Sequence, residues 1–189
     1  EGCIWLYKKK KYSHIQTCLL VSAIVIIIAV LGALTRGRCQ TWKDSIVLWN
    51  DVISNHPNAV TAYNNRGTGL LARKEYDRAY ADFVKAIEIN PNYAKAYYNR
   101  GVVYDEQDDF TRAVSDYKKA IEINPNYFDA YYNRGIIYHN QSDFTKAISD
   151  YTKAIEIKPN YAGSYNNRGV VYYLAKEYDK AWADVHKAE

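Results

Sequence analysis

Two regimes of apolar patterning divide the chain. From Ile15 to Leu34, twenty residues run without a charge and include the unbroken stretch Ile24-Val25-Ile26-Ile27-Ile28. From residue 41 onward, small and aromatic residues recur instead at helical spacing, as in Ala113, Tyr117 and Ala120 followed by Ile121. Such spacing places them on one face of a helix. The pattern then returns every 34 residues, carrying the phrases Tyr63-Asn64-Asn65-Arg66-Gly67, Tyr97-Tyr98-Asn99-Arg100-Gly101, Tyr131-Tyr132-Asn133-Arg134-Gly135 and Tyr165-Asn166-Asn167-Arg168-Gly169. The four prolines, Pro57, Pro91, Pro125 and Pro159, keep the same interval. A fixed period of this size implies stacked units that bury their apolar faces against each other, with no single central core.

Each unit follows one plan. A first helix opens after an Asn-Pro-Asn-Tyr signal and carries Tyr, Asn, Arg and Gly. A polar turn follows: Lys74-Glu75, Gln107-Asp108-Asp109, Gln141-Ser142-Asp143 and Lys176-Glu177. Asp and Ser there suit helix N-caps. A second helix then runs to the residue before proline, where helical backbone is disfavoured. The predicted units are 60–93, 94–127, 128–161 and 162–189, the last truncated. Residues 41–57 read as one more amphipathic helix within a linker and capping segment, 35–57. Its Trp49, Val52, Ile53 and Pro57 stand 34 residues before Phe83, Ala86, Ile87 and Pro91. The expected fold is all-α, an α-solenoid of antiparallel helix hairpins preceded by one transmembrane helix.

The apolar run 15–34 is long enough, at about 1.5 Å per residue, to cross the roughly 30 Å hydrocarbon core of a bilayer. A buried soluble helix seldom reaches this length uncharged, and a signal peptide would have a shorter apolar region and a cleavage site. The lysines Lys8 to Lys11 in the basic flank 1–14 outweigh Arg36, Arg38 and Lys43 on the other side. That bias predicts a single-pass membrane protein with its array on the extracytoplasmic side. With Glu1 first and the last helix stopping at Glu189, both ends read as cut.

Charge narrows the partners. Residues 57–189 hold 18 basic and 18 acidic side chains, so the excess of +4 lies entirely in the N-terminal segment. A neutral array lacks the basic footprint that phosphate backbones require, which excludes nucleic acid. Cys3, Cys18 and Cys39, with His14, His56, His139 and His186, show no metal-ligand spacing. No phosphate-binding or nucleophile motif occurs. The expectation is a protein with no catalysis, cofactor, metal or small-molecule substrate.

Tyr97, Gly101 and Tyr104, followed by Ala113, Tyr117, Ala120 and Pro125, resemble the tetratricopeptide repeat, and the match recurs in register over residues 60–189. Leu70 and Val185 depart from it where the other units hold tyrosine or another aromatic residue. The resemblance implies a right-handed superhelix whose first helices line a concave groove that binds a protein or peptide. It also implies that Asn65, Asn99, Asn133 and Asn167 grip the main chain of an extended peptide, since an amide both donates and accepts. Hydrogen bonding between neighbouring helices is the other role open to them. By helical phase Tyr98, Tyr132, His139 and Tyr173 share that groove, as do Asn64 and Asn166.

The family usually carries leucine where this chain has Arg66, Arg100, Arg134 and Arg168. Sixteen residues after each stands Asp82, Asp116, Asp150 or Asp184. Either the arginines bridge to those aspartates within each unit or they form an exposed anion-binding stripe. Residues 15–67 also resemble the last span and linker of polytopic membrane glycosyltransferases with repeat tails. On that alternative the array would hold acceptor proteins for a catalytic domain lying upstream.

Overall fold

The computed structural model describes residues 45–188. The flank 1–14 and the predicted span 15–34 lie outside them, as does most of the segment that resembles the glycosyltransferases. Among the described residues there is no strand, and no helix is long and apolar enough to cross a membrane.

The helices are α1 (Ser45–Asn55), α2 (Val60–Ala72), α3 (Tyr76–Ile89), α4 (Ala94–Glu106), α5 (Phe110–Ile123), α6 (Phe128–Asn140), α7 (Phe144–Ile157), α8 (Ala162–Leu174) and α9 (Tyr178–Ala188). The repeats belong to one compact unit, Trp49–Glu189. Helices α2/α3, α4/α5, α6/α7 and α8/α9 pack as hairpins, and each second helix packs on the first helix of the next hairpin. First helices also touch across the stack, α2 against α4 and α6 against α8.

Local chemistry sets these boundaries. Asn90, Asn124 and Lys158, each before a proline, have extended backbone, with φ of −137°, −129° and −129°. There the helix stops. Asn90 and Asn124 then accept from the backbone N–H of Asn92 and Asn126 through their side chains, at 3.0 and 3.1 Å. Inside each hairpin the first helix ends in a left-handed residue: Lys74, Asp108, Ser142 or Lys176, with φ between 59° and 63°. The next N–H reaches back to the helix, as Asp109 N does to Tyr104 O at 2.8 Å. This is a Schellman-type close, usually built on glycine. Asp109 and Asp143 cap α5 and α7 by accepting from Arg112 N and Lys146 N.

The interior is built of small residues facing rings. Ala79, Ala113 and Ala147 are fully buried, as are Ala86, Ala120 and Ala154. A Cβ on Gly67, Gly101 or Gly135 would stand 2.7, 2.8 or 2.9 Å from the ring of Phe83, Tyr117 or Tyr151. Glycine is what lets the two helices of a hairpin close over an aromatic side chain. The next hairpin roofs that ring: Tyr117 packs with Ala130 and Ile137 of α6, and Tyr151 with Val171 of α8.

Helix α1 takes the place of a second helix ahead of α2. Asn50 accepts from Arg66 Nη1 at 2.7 Å across sixteen residues. Thr152 of α7 does the same for Arg168 of α8 at 2.9 Å. The turn after α1 also follows the repeat, with Ala59 N donating to His56 O as Tyr93 N does to Asn90 O.

Candidate functional site

The arginines are internal ties. Arg66, Arg100, Arg134 and Arg168 each donate from Nε and Nη2 to both oxygens of Asp82, Asp116, Asp150 and Asp184, at 2.5 to 2.8 Å. All four aspartates are buried. Each guanidinium also lies over the tyrosine three residues earlier, with centroid distances of 5.6 to 5.8 Å. Of the two roles open to the arginines, the structure shows the bridge within each hairpin. The bridge is bought against desolvation: burial pushes the Asp150 carboxyl up, while the Arg134 bond pulls it down. A buried pair of this kind specifies geometry more than it adds stability.

Three of the four candidate asparagines form one line between first helices. Asn99 Nδ2 donates to Asn64 Oδ1 at 2.8 Å, Asn133 Nδ2 to the Tyr98 hydroxyl at 3.1 Å, and Asn167 Nδ2 to the Tyr132 hydroxyl at 3.0 Å. Each bond spans 35 residues, so it ties one hairpin to the one before. The helix-to-helix role is therefore real. It uses one amide hydrogen per side chain. Among the described residues, no hydrogen bond reaches Oδ1 of Asn99, Asn133 or Asn167, and all three are half-buried. Asn65 differs, since its Oδ1 accepts from Asn64 Nδ2 at 3.4 Å. Asn64, expected at the groove surface, is buried at 2 % exposure and serves as the acceptor that starts the line.

Tyr98 and Tyr132 thus sit beside the asparagines, within a run of rings. Tyr98 lies 5.1 Å from Tyr127, and Tyr132 lies 5.4 Å from Tyr161. Burial, with the Asp129 charge adding to it, pushes the Tyr98 phenol up to about 12, and the Asn133 bond opposes this. Tyr98 therefore stays a neutral hydrogen-bonding group at physiological pH. His139 follows in the last turn of α6, half-buried. Among the described residues, no group of His, Cys, Asp and Glu could hold a metal ion.

Tyr173 lies apart from the asparagine line. It is 63 % exposed and stacks on Tyr178 at 5.5 Å. With Gly169, Val170, Ala181, Trp182 and Val185 these tyrosines line a pocket of about 400 Å³. The sequence reading did not foresee this pocket. Its signal was present, because Val185 stands where the other units carry a ring.

Three models of the tetratricopeptide repeat match the chain, at residues 94–127 and 128–161, at 70–108, and at 150–183. The curated proteins contain no match. Among solved structures, "Crystal structure of MamA" is 28% identical with a TM-score of 0.71, covering 80% of this chain and 90% of that one. "Crystal structure of MamA protein" is 28% identical with a TM-score of 0.69, covering 80% and 85%. "MamA 41-end from Desulfovibrio magneticus RS-1" is 20% identical with a TM-score of 0.68, covering 80% and 88%, and shows the shared fold alone.

Proposed function

Because this chain belongs to the tetratricopeptide-repeat family, and that fold serves protein–protein interaction, we propose that its array binds an extended peptide segment along its first helices. The observation that carries this is the asparagine line. Asn99, Asn133 and Asn167 are each held by one hydrogen bond to the preceding hairpin. Each keeps a carbonyl oxygen and a second amide hydrogen for a ligand. A peptide backbone offers complementary donors and acceptors along its length. Preorganised amides also lose little freedom on binding. Tyr98 and Tyr132 flank the line and supply contact area at low entropic cost.

In this reading the apolar run 15–34 anchors the chain in a lipid bilayer, and the basic flank 1–14 places the array on the extracytoplasmic side. The array is a recruiting module with no chemistry of its own.

The test is selection of short random peptides on the purified chain, followed by comparison with Asn99→Ala, Asn133→Ala and Asn167→Ala variants. Selected peptides should bind each variant about tenfold more weakly, a loss of roughly 1.4 kcal/mol. Equal binding to the triple variant would refute the role given to the amides.

A further inference from the structure

The fourth hairpin has an empty slot where its neighbours hold a ring. In units two and three the second helix sends Tyr117 or Tyr151 over Gly101 or Gly135, and both rings are fully buried. The corresponding residue of α9 is Val185, which is 43 % exposed. A Cβ on Gly169 would meet nothing nearer than 3.4 Å, and its nearest neighbours are Ala181 O and the Asp184 Cβ. The pocket of about 400 Å³ opens over this glycine, floored by Ala181 and Val185 and walled by Val170, Tyr173, Tyr178 and Trp182. It coincides, residue for residue, with the ring site of the preceding hairpins.

We propose that this slot is a binding site for an aromatic side chain supplied by the peptide partner. The template lies within the molecule: the same backbone, glycine and alanine already enclose a tyrosine ring twice. The surroundings indicate where the ring comes from. Units two and three carry Asp105-Glu106 and His139-Asn140 at the end of their first helices, whereas unit four carries Tyr173-Leu174. Both are exposed, at 63 % and 47 %. A further hairpin stacked on α9 would need the roofing positions apolar, as Ala130 and Ile137 show for Tyr117. It would not need Tyr173 and Leu174. Their apolar character extends the slot onto the face that carries the asparagines, so the occupant is a ligand arriving along that face. The inference rests on the peptide-binding reading for this direction only. The slot itself does not depend on it.

The experiment uses the whole chain and 4-methylphenol, the side-chain fragment of tyrosine, as probe. Methyl resonances of Val170 and Val185 are followed by NMR through a titration. Saturable shifts are expected in the wild type and equally in Asn133→Ala. Val185→Tyr, with Val185→Phe as a second slot-filling variant, should weaken binding at least about tenfold, read at Val170, without lowering the melting temperature. Equal affinity in the filled variants, or no saturable shift in the wild type, would overturn the proposal. So would sedimentation showing that the wild type self-associates and that filling the slot returns it to monomer, since a second copy would then be the occupant. Failure of the groove reading appears elsewhere, as selected peptides that ignore Asn133→Ala while 4-methylphenol still binds.

Discussion

Hairpins three and four carry nearly the same phrase and end up with opposite surfaces. In hairpin three, Tyr151 is fully buried between Gly135 below and Val171 of α8 above. In hairpin four, Val185, Trp182, Tyr178 and Tyr173 are all exposed, by 43 % to 67 %. One position accounts for much of this. A tyrosine closes the slot from within, and a valine leaves it open. The lesson is that a repeat phrase specifies the hairpin, while a single departure from it decides whether a face is scaffold or binding surface.

The largest test of that contrast is the buried bridge. Asp150→Ala should cost about 3–5 kcal/mol by leaving Arg134 buried and unpaired. Asp184→Ala should cost less, because Arg168 keeps its bond to Thr152 at 2.9 Å. Replacing Arg134 and Asp150 together with leucine should recover most of the loss. Urea unfolding of the four variants would check this, and equal costs at 150 and 184 would remove the distinction.

Alkaline pH probes the packed hairpins next. Tyr98 has a folded pKa of about 12, above its ordinary value of 10.0. A raised pKa means that its contribution is complete below about pH 10 and is lost as pH climbs toward 12. That contribution is about 2–3 kcal/mol. Tyr117, Tyr127 and Tyr151 are pushed up by burial in the same direction. Stability measured against pH should fall over this window, and Tyr98→Phe should flatten the fall.

The glycines give a smaller and opposite pair of effects. Gly135→Ala should destabilise by about 1–3 kcal/mol, since its Cβ would press on the buried Tyr151 ring. Gly169→Ala should be neutral, or stabilise by up to about 1 kcal/mol through helix propensity. Thermal melts would separate the two. Smallest is the turn, where the hairpins agree. Ser142→Gly and Lys176→Gly should each stabilise by about 0.5 kcal/mol, because both residues sit at positive φ. A gain at only one of them would mean that the hairpins differ in backbone as well as in surface.

Much of the fold was legible because the period does most of the specifying. Prolines marked the ends of α3, α5 and α7, and the sixteen-residue offset between Arg and Asp named the bridge before any coordinate did. Two things were less legible, for physical reasons. Helical phase placed Asn64 and Tyr98 on one exposed face, but bonds across 35 residues bury Asn64 as an acceptor. Those bonds join residues of different hairpins, which phase within one helix cannot register. The pocket was missed because it is made by an absence: Val185 was noted as a departure, but not as a vacated volume.

The account depends most on the unused half of each asparagine amide. The direct measurement is an NMR spectrum of the side-chain amides in chain labelled with nitrogen-15, recorded with and without a selected peptide. The amide signals of Asn99, Asn133 and Asn167 should shift saturably and together, with the same midpoint as binding. A peptide that binds while those three signals stay in place would contradict the account.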